Sequence, residues 1–162
     1  MVKPLVYLGR WWATVSEPVN GEPLVVVLLE QAMHRIRAEL YALSDASFPG
    51  LRVRHYRLLS FLPPEGERLT RLTAASGLTK QALAQALAPL EAGAYVEVVP
   101  DPTDRRARLV RLTGRGREAT AAVRRRLAAV EREWAARVGE ERYAVARAVL
   151  ADLAPGPVTV GE

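Results

Sequence analysis

The sequence contains no cysteine, and it has only two histidines and two lysines. Without cysteine the chain has no disulfide, no thiolate metal ligand, no nucleophilic thiol and no thiol-based redox switch. His34 and His55 fall on separate predicted helices with no carboxylate at metal-ligand spacing, so no metal site is expected. Glycine-rich phosphate loops are lacking too, since Gly114-Arg115-Gly116 has no following Lys and Ser/Thr. We therefore expect no catalytic residues, no cofactor and no enzyme activity.

Long apolar runs are also missing. The longest, Leu24 to Leu29, is far shorter than the ~18–20 residues of a membrane-spanning helix. Residues 1–20 lack the continuous apolar stretch and the cleavage site of a secretory signal. A cytoplasmic protein without a membrane partner is the resulting expectation. The chain has 162 residues, 49% of them hydrophobic, which suits one domain with a sizeable core.

Arginine is what the sequence has in excess. Residues 101–126 hold nine arginines against three carboxylates, whereas the rest of the chain is almost neutral. A concentrated basic stretch is typical of a surface that binds phosphates. The alternative is a solvated, arginine-rich helix start with no partner.

Apolar spacing predicts a mainly α-helical chain. Steps of three and four residues indicate a long helix from about 24 to 46 and a second from 53 to 62, ended by Pro63-Pro64. Thr113 is predicted to cap a helix that runs to about 138, and Glu140 to begin a last helix.

Two short helices joined by a glycine turn are predicted between these long ones. Thr70 is the expected N-cap of the first and Thr79 of the second, with Ser76-Gly77 as the turn. Such a pair is a helix-turn-helix. The buried face of the second helix should carry Leu83, Leu87 and Leu90. Its polar positions are Lys80, Gln81 and Gln85.

Residues 95–99 and 108–112 are β-prone and predict the two strands of a hairpin, with a loop between them. A helix-turn-helix followed by a hairpin is a winged helix. The predicted fold class is therefore mainly α with a small β wing, a winged helix-turn-helix between long terminal helices.

Several motifs occur in a specific order along the chain: Leu69-Thr70-Arg71-Leu72-Thr73, Ser76-Gly77-Leu78-Thr79-Lys80-Gln81, Leu90-Glu91-Ala92-Gly93, Asp104-Arg105-Arg106, Leu112-Thr113 and Gly116-Arg117. In these motifs the chain resembles, from about Leu24 to Leu153, the MarR family of bacterial transcription regulators. The spacing of the last three is the most specific feature. The resemblance implies a MarR-type domain over 23–154, with the winged helix at about 51–112 and dimerisation helices at about 23–47 and 113–154. Residues 1–22 would be an N-terminal extension and 155–162 a flexible tail.

The resemblance further implies a sequence-specific transcriptional regulator of double-stranded DNA. It would be a ligand-responsive repressor that binds a pseudo-palindromic operator as a homodimer. Its recognition helix would enter the major groove with Thr79, Lys80, Gln81 and Gln85 at the bases. Thr79 serves equally well as a helix cap, and the many alanines of this helix suggest sparse direct readout.

In the wing, the minor-groove arginine of the family carries over to Arg106, and Arg105 and Arg108 are predicted to reach phosphates. Asp104 would brace the hairpin by pairing with a neighbouring arginine, or it is an ordinary turn residue. Arg124, Arg125 and Arg126 encircle a helix, so a solvated surface role is expected for them.

The resemblance implies, finally, a small aromatic or phenolic acid as effector. Candidate effector contacts are Trp11, Trp12, Tyr41, His55 and Tyr56, although aromatic side chains on an apolar face more often belong to a core. A different class of function also fits the sequence, namely a winged-helix interaction module whose basic face binds a protein or RNA. The alanine-rich recognition helix favours that alternative slightly.

Overall fold

A computed structural model of the chain describes residues 17–104 and 106–154. Those residues form six helices and three short strands. In chain order they are α1 (Val25–Ser47), α2 (Val53–Leu59), β1 (Glu67–Arg68), α3 (Leu69–Ser76), α4 (Lys80–Ala92), β2 (Val96–Pro100), β3 (Arg108–Leu112), α5 (Gly114–Val138) and α6 (Glu140–Leu153). The predicted fold class, mainly α with a small β wing, is confirmed. Within the described ranges no helix is long and apolar enough to cross a membrane.

Residue contacts divide the chain into two compact units, 1–38 and 39–162. In the described part of the first unit, Val19 and Glu22 exchange backbone hydrogen bonds of 3.0 and 3.1 Å across a tight turn. Asn20 and Gly21 occupy the turn with φ of 54° and 81°. Asn and Gly tolerate this left-handed conformation better than other residues. The turn ends just before α1 begins.

The sheet of the second unit has the order β1-β3-β2, with both pairings antiparallel. Strand β3 is central, and its Val110 lies opposite Glu67 of β1 and Val98 of β2. Val110 is fully buried, so it anchors the sheet to the helices. The sequence predicted β2 and β3 but not β1, because two residues are too few to show a strand periodicity.

The helix-turn-helix consists of α3 and α4. Gly77 ends α3 in the left-handed conformation, with φ of 67°, and Thr79 caps α4 by accepting the N–H of Ala82 at 3.1 Å. The predicted cap at Thr79 is therefore confirmed, as is the predicted buried face. Leu83, Leu87 and Leu90 are all buried.

Two predicted boundaries are wrong for identifiable reasons. Thr70 is not a helix cap, because β1 pairs with β3 as far as Arg68 and α3 starts directly after it, which makes Arg68 the N-cap. Helix α2 stops at Leu59 rather than at 62. Hydrogen bonds between residues three apart, including Leu62 N–H to the Leu59 carbonyl at 3.2 Å, tighten the chain there. This turn still buries Leu62.

Helix α5 begins against the base of the wing. The Oγ1 of Thr113 accepts the N–H of Gly116 at 3.1 Å and donates to the carbonyl of Ala94 at 2.6 Å. Gly116 is buried directly against the backbone of Tyr95, where a Cβ would overlap the Tyr95 carbonyl oxygen. The predicted cap at Thr113 is confirmed, and the glycine that follows it is required by this close approach.

Replacing Gly116 with alanine should destabilise the fold. The added methyl has to displace the Tyr95 backbone, so we expect Gly116→Ala to lower the free energy of unfolding by about 1–3 kcal/mol or more. Gly114→Ala is the matched control in the same helical turn, because its added Cβ would meet only the Arg117 guanidinium, at 4.0 Å. Urea unfolding followed by circular dichroism measures both. Equal stability of the two variants would contradict this account.

Helix α2 contributes two buried polar side chains, His55 and Tyr56. The hydroxyl groups of Tyr56 and Ser44 are hydrogen bonded at 2.9 Å, and His55 Nδ1 accepts the N–H of Arg52 at 3.0 Å. Burial, followed by the charges of Arg54 and Arg52, lowers the pKa of His55. The folded protein therefore favours the neutral imidazole.

Acidification should consequently weaken the fold through His55. Its folded pKa lies below the unfolded value of 6.5, so the unfolded chain binds more protons, and stability is lost as the pH falls from about 6.5 toward the folded pKa. We expect His55→Gln to flatten the dependence of unfolding free energy on pH between about pH 7 and pH 5. Asp101, whose pKa is lowered to about 2, affects the unfolding free energy only at lower pH than this window. An unchanged pH dependence in the variant would refute this assignment.

Candidate nucleic-acid interface

Helix α4 carries exposed polar side chains outside the face formed by its buried leucines. Lys80, Gln81 and Gln85 are all exposed, and so is Thr79 just before the helix. The Thr79 hydroxyl oxygen is engaged by the Ala82 amide as the cap, which fits the structural role anticipated for it. Two amides and an ammonium group thus project from the first two turns of α4. Such groups can donate and accept hydrogen bonds at base edges or phosphates.

The loop between β2 and β3 forms the tip of the wing and carries exposed arginines. Arg106 and Arg108 are exposed, whereas Arg105 lies outside the described residues. Two backbone bonds close the tip: Asp101 N–H donates to the Ala107 carbonyl at 3.1 Å, and Ala107 N–H donates to the Asp104 carbonyl at 2.8 Å. The described arginines of the tip therefore face solvent from a short, closed loop.

Asp104 acts as a turn residue in this loop. Its Oδ1 accepts the backbone N–H of Arg106 at 3.0 Å, a local bond of the kind that Asp makes in turns. Among the described residues, the aspartate of the wing that pairs with an arginine side chain is Asp101. Its Oδ2 lies 2.6 Å from Nε of Arg68. The sequence alone does not reveal this pairing of Asp101, because its partner Arg68 is 33 residues away.

Hydrogen bonds keep the Asp101 carboxylate charged although it is buried. Its Oδ1 accepts the N–H of Thr103 at 2.8 Å and the hydroxyl of Thr103 at 2.7 Å. These bonds, together with the bond and the charge of Arg68, lower the pKa of Asp101 to about 2. Bonds that favour the anion over the neutral acid have this effect.

The arginines of α5 do not share one environment. Arg124 and Arg125 are exposed, as expected. The solvated role predicted for Arg126 is wrong, because its guanidinium binds Glu39 through two nitrogens at 2.6 and 2.9 Å and reaches Glu133 at 3.4 Å. The pairing with Glu39 raises the pKa of Arg126. This side chain joins α5 to the end of α1 that belongs to the same unit.

The predicted effector contacts do not gather into one described site. Trp11 and Trp12 lie outside the described residues. Tyr41 is 46% exposed on α1, while His55 and Tyr56 are buried with hydrogen-bond partners of their own. The environment of His55 and Tyr56 matches the alternative interpretation, in which such aromatic side chains belong to the core.

A cavity of about 410 Å³ lies between α2 and the helix-turn-helix. Its lining residues are Arg54, Arg57, Leu58, Phe61, Ser76, Leu78, Ala82, Gln85 and Ala86. Gln85, a predicted base-reading residue, therefore also forms part of its wall. The sequence did not point to this cavity, because its wall comes from three segments that meet only in the folded protein.

Comparisons with known proteins identify the fold. No protein-family model matches the chain, and no curated protein matches its sequence. Among solved structures, the transcriptional repressor CouR bound to a 23-mer DNA duplex has a TM-score of 0.63 and 19% identity, over 96% of this chain and 100% of that one. A MarR-family transcriptional regulator from Rhodococcus sp. RHA1 has a TM-score of 0.60 and 22% identity, over 80% and 93%.

A third similar structure is Streptococcus pneumoniae FabT in complex with DNA. Its TM-score is 0.69 at 20% identity, over 80% of this chain and 92% of that one. All three cover nearly the whole of the compared protein, so the likeness extends beyond the helix-turn-helix to the long helices. The fold implied by the sequence motifs is confirmed: this chain has the winged helix-turn-helix fold of MarR-family regulators.

Proposed function

We propose that the protein is a DNA-binding transcriptional regulator that acts as a homodimer on a pseudo-palindromic operator. The observation that carries this proposal is the joint exposure of a polar recognition helix and a basic wing in one unit. Both are surfaces of the kind that contact DNA, the helix in the major groove and the wing beside it. The similar folds of CouR and FabT, which were solved with DNA, support the same conclusion.

In this proposal α4 enters the major groove with its N-terminal turns leading. Gln81 and Gln85 offer amides that can pair with adenine, and Lys80 offers an ammonium for guanine acceptors or phosphate. Thr79 caps the helix, and its exposed side chain is the part of it that can contact the groove. The remaining exposed positions of α4 are largely alanine, so a few amides and backbone contacts supply most of the discrimination.

The wing complements this contact from the side. Arg106 is assigned to the minor groove, where narrow A·T-rich sequence concentrates negative potential around a guanidinium. Arg108, and by the family resemblance Arg105, are assigned to phosphates. Since the wing follows α4 through only a short connection, it reaches the flank of the site that α4 reads.

A second copy of the chain is the partner proposed for α6. None of the residues of α6, all of which the structure describes, is buried, although the helix is rich in apolar side chains. Val145, Val149, Leu150 and Leu153 are 65%, 51%, 46% and 73% exposed. An apolar helix face of this size in a single chain indicates an interaction surface. In the homodimer, two such faces cover each other.

We further propose that the protein binds an effector, and that this effector is a small acid with an apolar body. The cavity beside α4 supports this chemistry, because its lining combines apolar side chains with two arginines and includes no carboxylate. Its volume lies in the range of small-molecule sites. A molecule held there would contact Gln85 and so alter a residue assigned to the bases.

Removing the wing arginine should weaken DNA binding and its salt dependence together. In fluorescence anisotropy with a duplex that the wild-type protein enriches from a random library, we expect affinity to fall with salt. Arg106→Ala should reduce it at least about fivefold, mainly for A·T-rich flanks, and should lower the salt slope by about one. Arg125→Ala, an exposed arginine of α5, is the control and should change little. Wild-type affinity that is independent of salt would overturn the proposed function.

Charging the apolar face of α6 should separate the dimer. Leu150 is 46% exposed in the single chain, so Leu150→Asp removes roughly half of the about 1.5–3 kcal/mol of a fully buried Leu from each copy. Over both copies the dissociation constant of the dimer should rise at least tenfold. Arg147→Asp changes the charge at an exposed position on the other side of the same helix, toward α5, and serves as the control. Sedimentation equilibrium measures both, and an unchanged constant for Leu150→Asp would exclude α6 from the interface.

A further inference from the structure

A polar cluster around the buried Asp101, at the base of the wing tip, joins strands that are not neighbours in the sheet. The cluster consists of Asp101, Arg68 and Thr103. Asp101 accepts from Arg68 through one oxygen and from the amide and hydroxyl of Thr103 through the other. The Thr103 hydroxyl also accepts from the Arg68 Nη2 at 3.2 Å. The three side chains therefore form a closed set of bonds.

The cluster links the wing to the helix-turn-helix. Arg68 ends β1 and is the N-cap residue of α3, whereas Asp101 follows the last residue of β2. Strand β3 lies between β1 and β2, so no backbone hydrogen bond joins those two strands directly. The Arg68–Asp101 bond spans them by side chains. It connects the start of the tip loop to the N-cap residue of α3, where the helix-turn-helix begins.

Among the described residues of the tip, few other bonds fix its shape. Beyond the paired strands, its backbone is closed by the two bonds at Ala107, with the local bond of Asp104 inside them. A two-stranded ribbon without further packing is only marginally stable in water. The guanidinium of Arg106 keeps a fixed position relative to α4 only if further interactions hold this loop in one conformation.

The burial of Asp101 makes the cluster more than a surface ion pair. Its side chain is 5% exposed, while that of its partner Arg68 is 41% exposed. In the Arg111–Glu97 pair across β2 and β3, at 2.9 Å, both side chains are exposed, at 45% and 48%. Exposed pairs of the second kind contribute little, whereas a buried carboxylate that loses its partner carries an uncompensated charge. The two pairs of the wing therefore offer a direct comparison.

We infer that Asp101, Arg68 and Thr103 are positioning residues for DNA binding, which hold the wing tip so that Arg106 meets the minor groove in register with α4. They touch no nucleotide and act through Arg106. This inference rests on the proposed function. It assigns to Asp101 the bracing role that the sequence motif suggested for Asp104.

A double-mutant cycle tests the inference in the full-length protein. Asp101→Asn keeps the size of the side chain and removes its charge. With the enriched duplex, we expect Asp101→Asn to weaken binding by about as much as Arg106→Ala, and the double variant to bind like either single one. Lys80→Ala should instead multiply with Asp101→Asn, since Lys80 lies on α4. Glu97→Gln, the control in the same wing, should bind like wild type.

Multiplicative effects of Asp101→Asn and Arg106→Ala would overturn the inference while leaving the proposed function intact. Backbone amide exchange supplies a readout that needs no DNA. The N–H groups of Thr103 and Ala107 should exchange at least tenfold faster in Asp101→Asn than in Glu97→Gln, with the thermal unfolding midpoint as a check that the rest of the fold persists. Unchanged exchange in the tip would also overturn the inference. Failure of the wild-type protein to bind any duplex would refute the proposed function and with it the role of the cluster in DNA binding, whereas the exchange measurement would still test whether Asp101 holds the tip.

Discussion

The arrangement of the second unit depends on the close approach of α5 to the backbone of Tyr95. Thr113 donates its N–H to the Tyr95 carbonyl at 3.1 Å, and Gly116 leaves the space that lets the first turn of α5 lie there. The Tyr95 ring is buried, with the Arg115 guanidinium 4.7 Å from its centre and Phe48 edge-on at 6.5 Å. One residue thus joins the end of α4, the base of the wing and the start of α5.

This junction explains why the wing and the recognition helix can act together. Gly93 ends α4 with an ordinary φ of −82°, so its lack of a side chain serves a different need. A Cβ there would lie 2.6 Å from the Tyr95 ring. The ring therefore fixes the distance between the end of α4 and β2. Because both proposed DNA-contacting surfaces start from the same packed residue, their separation is set by the core rather than by flexible linkers, as recognition of a fixed duplex geometry would require.

Local patterns in the sequence predicted those features of the fold that depend on residues close together in the chain. The caps at Thr79 and Thr113, the buried leucines of α4 and the bounds of β3 follow from capping chemistry and from helical or strand period, and the structure has each of them. The errors arise where a distant partner decides. Strand β1 exists because β3 pairs with it, and this pairing moves the start of α3 away from Thr70. Arg126 and Asp101 likewise have partners on remote segments, which no periodicity in one sequence reveals.

Distant partners also decide which arginines of the stretch 101–126 are available to bind phosphates. Counted from the sequence, it suggests a surface that could neutralise many phosphates. In the structure, several of its charges already have protein partners: Arg126 binds Glu39, Arg111 pairs with Glu97, and Arg115 lies over Tyr95. The pair of Arg126 and Glu39 is the less exposed one, so releasing Arg126 to a phosphate would be costly, whereas the exposed pair of Arg111 and Glu97 contributes little. Since the salt dependence of binding reports the phosphates actually neutralised, the proposed DNA contact would draw its electrostatic contribution from the exposed cations of the wing and of α4 rather than from the net charge of the stretch.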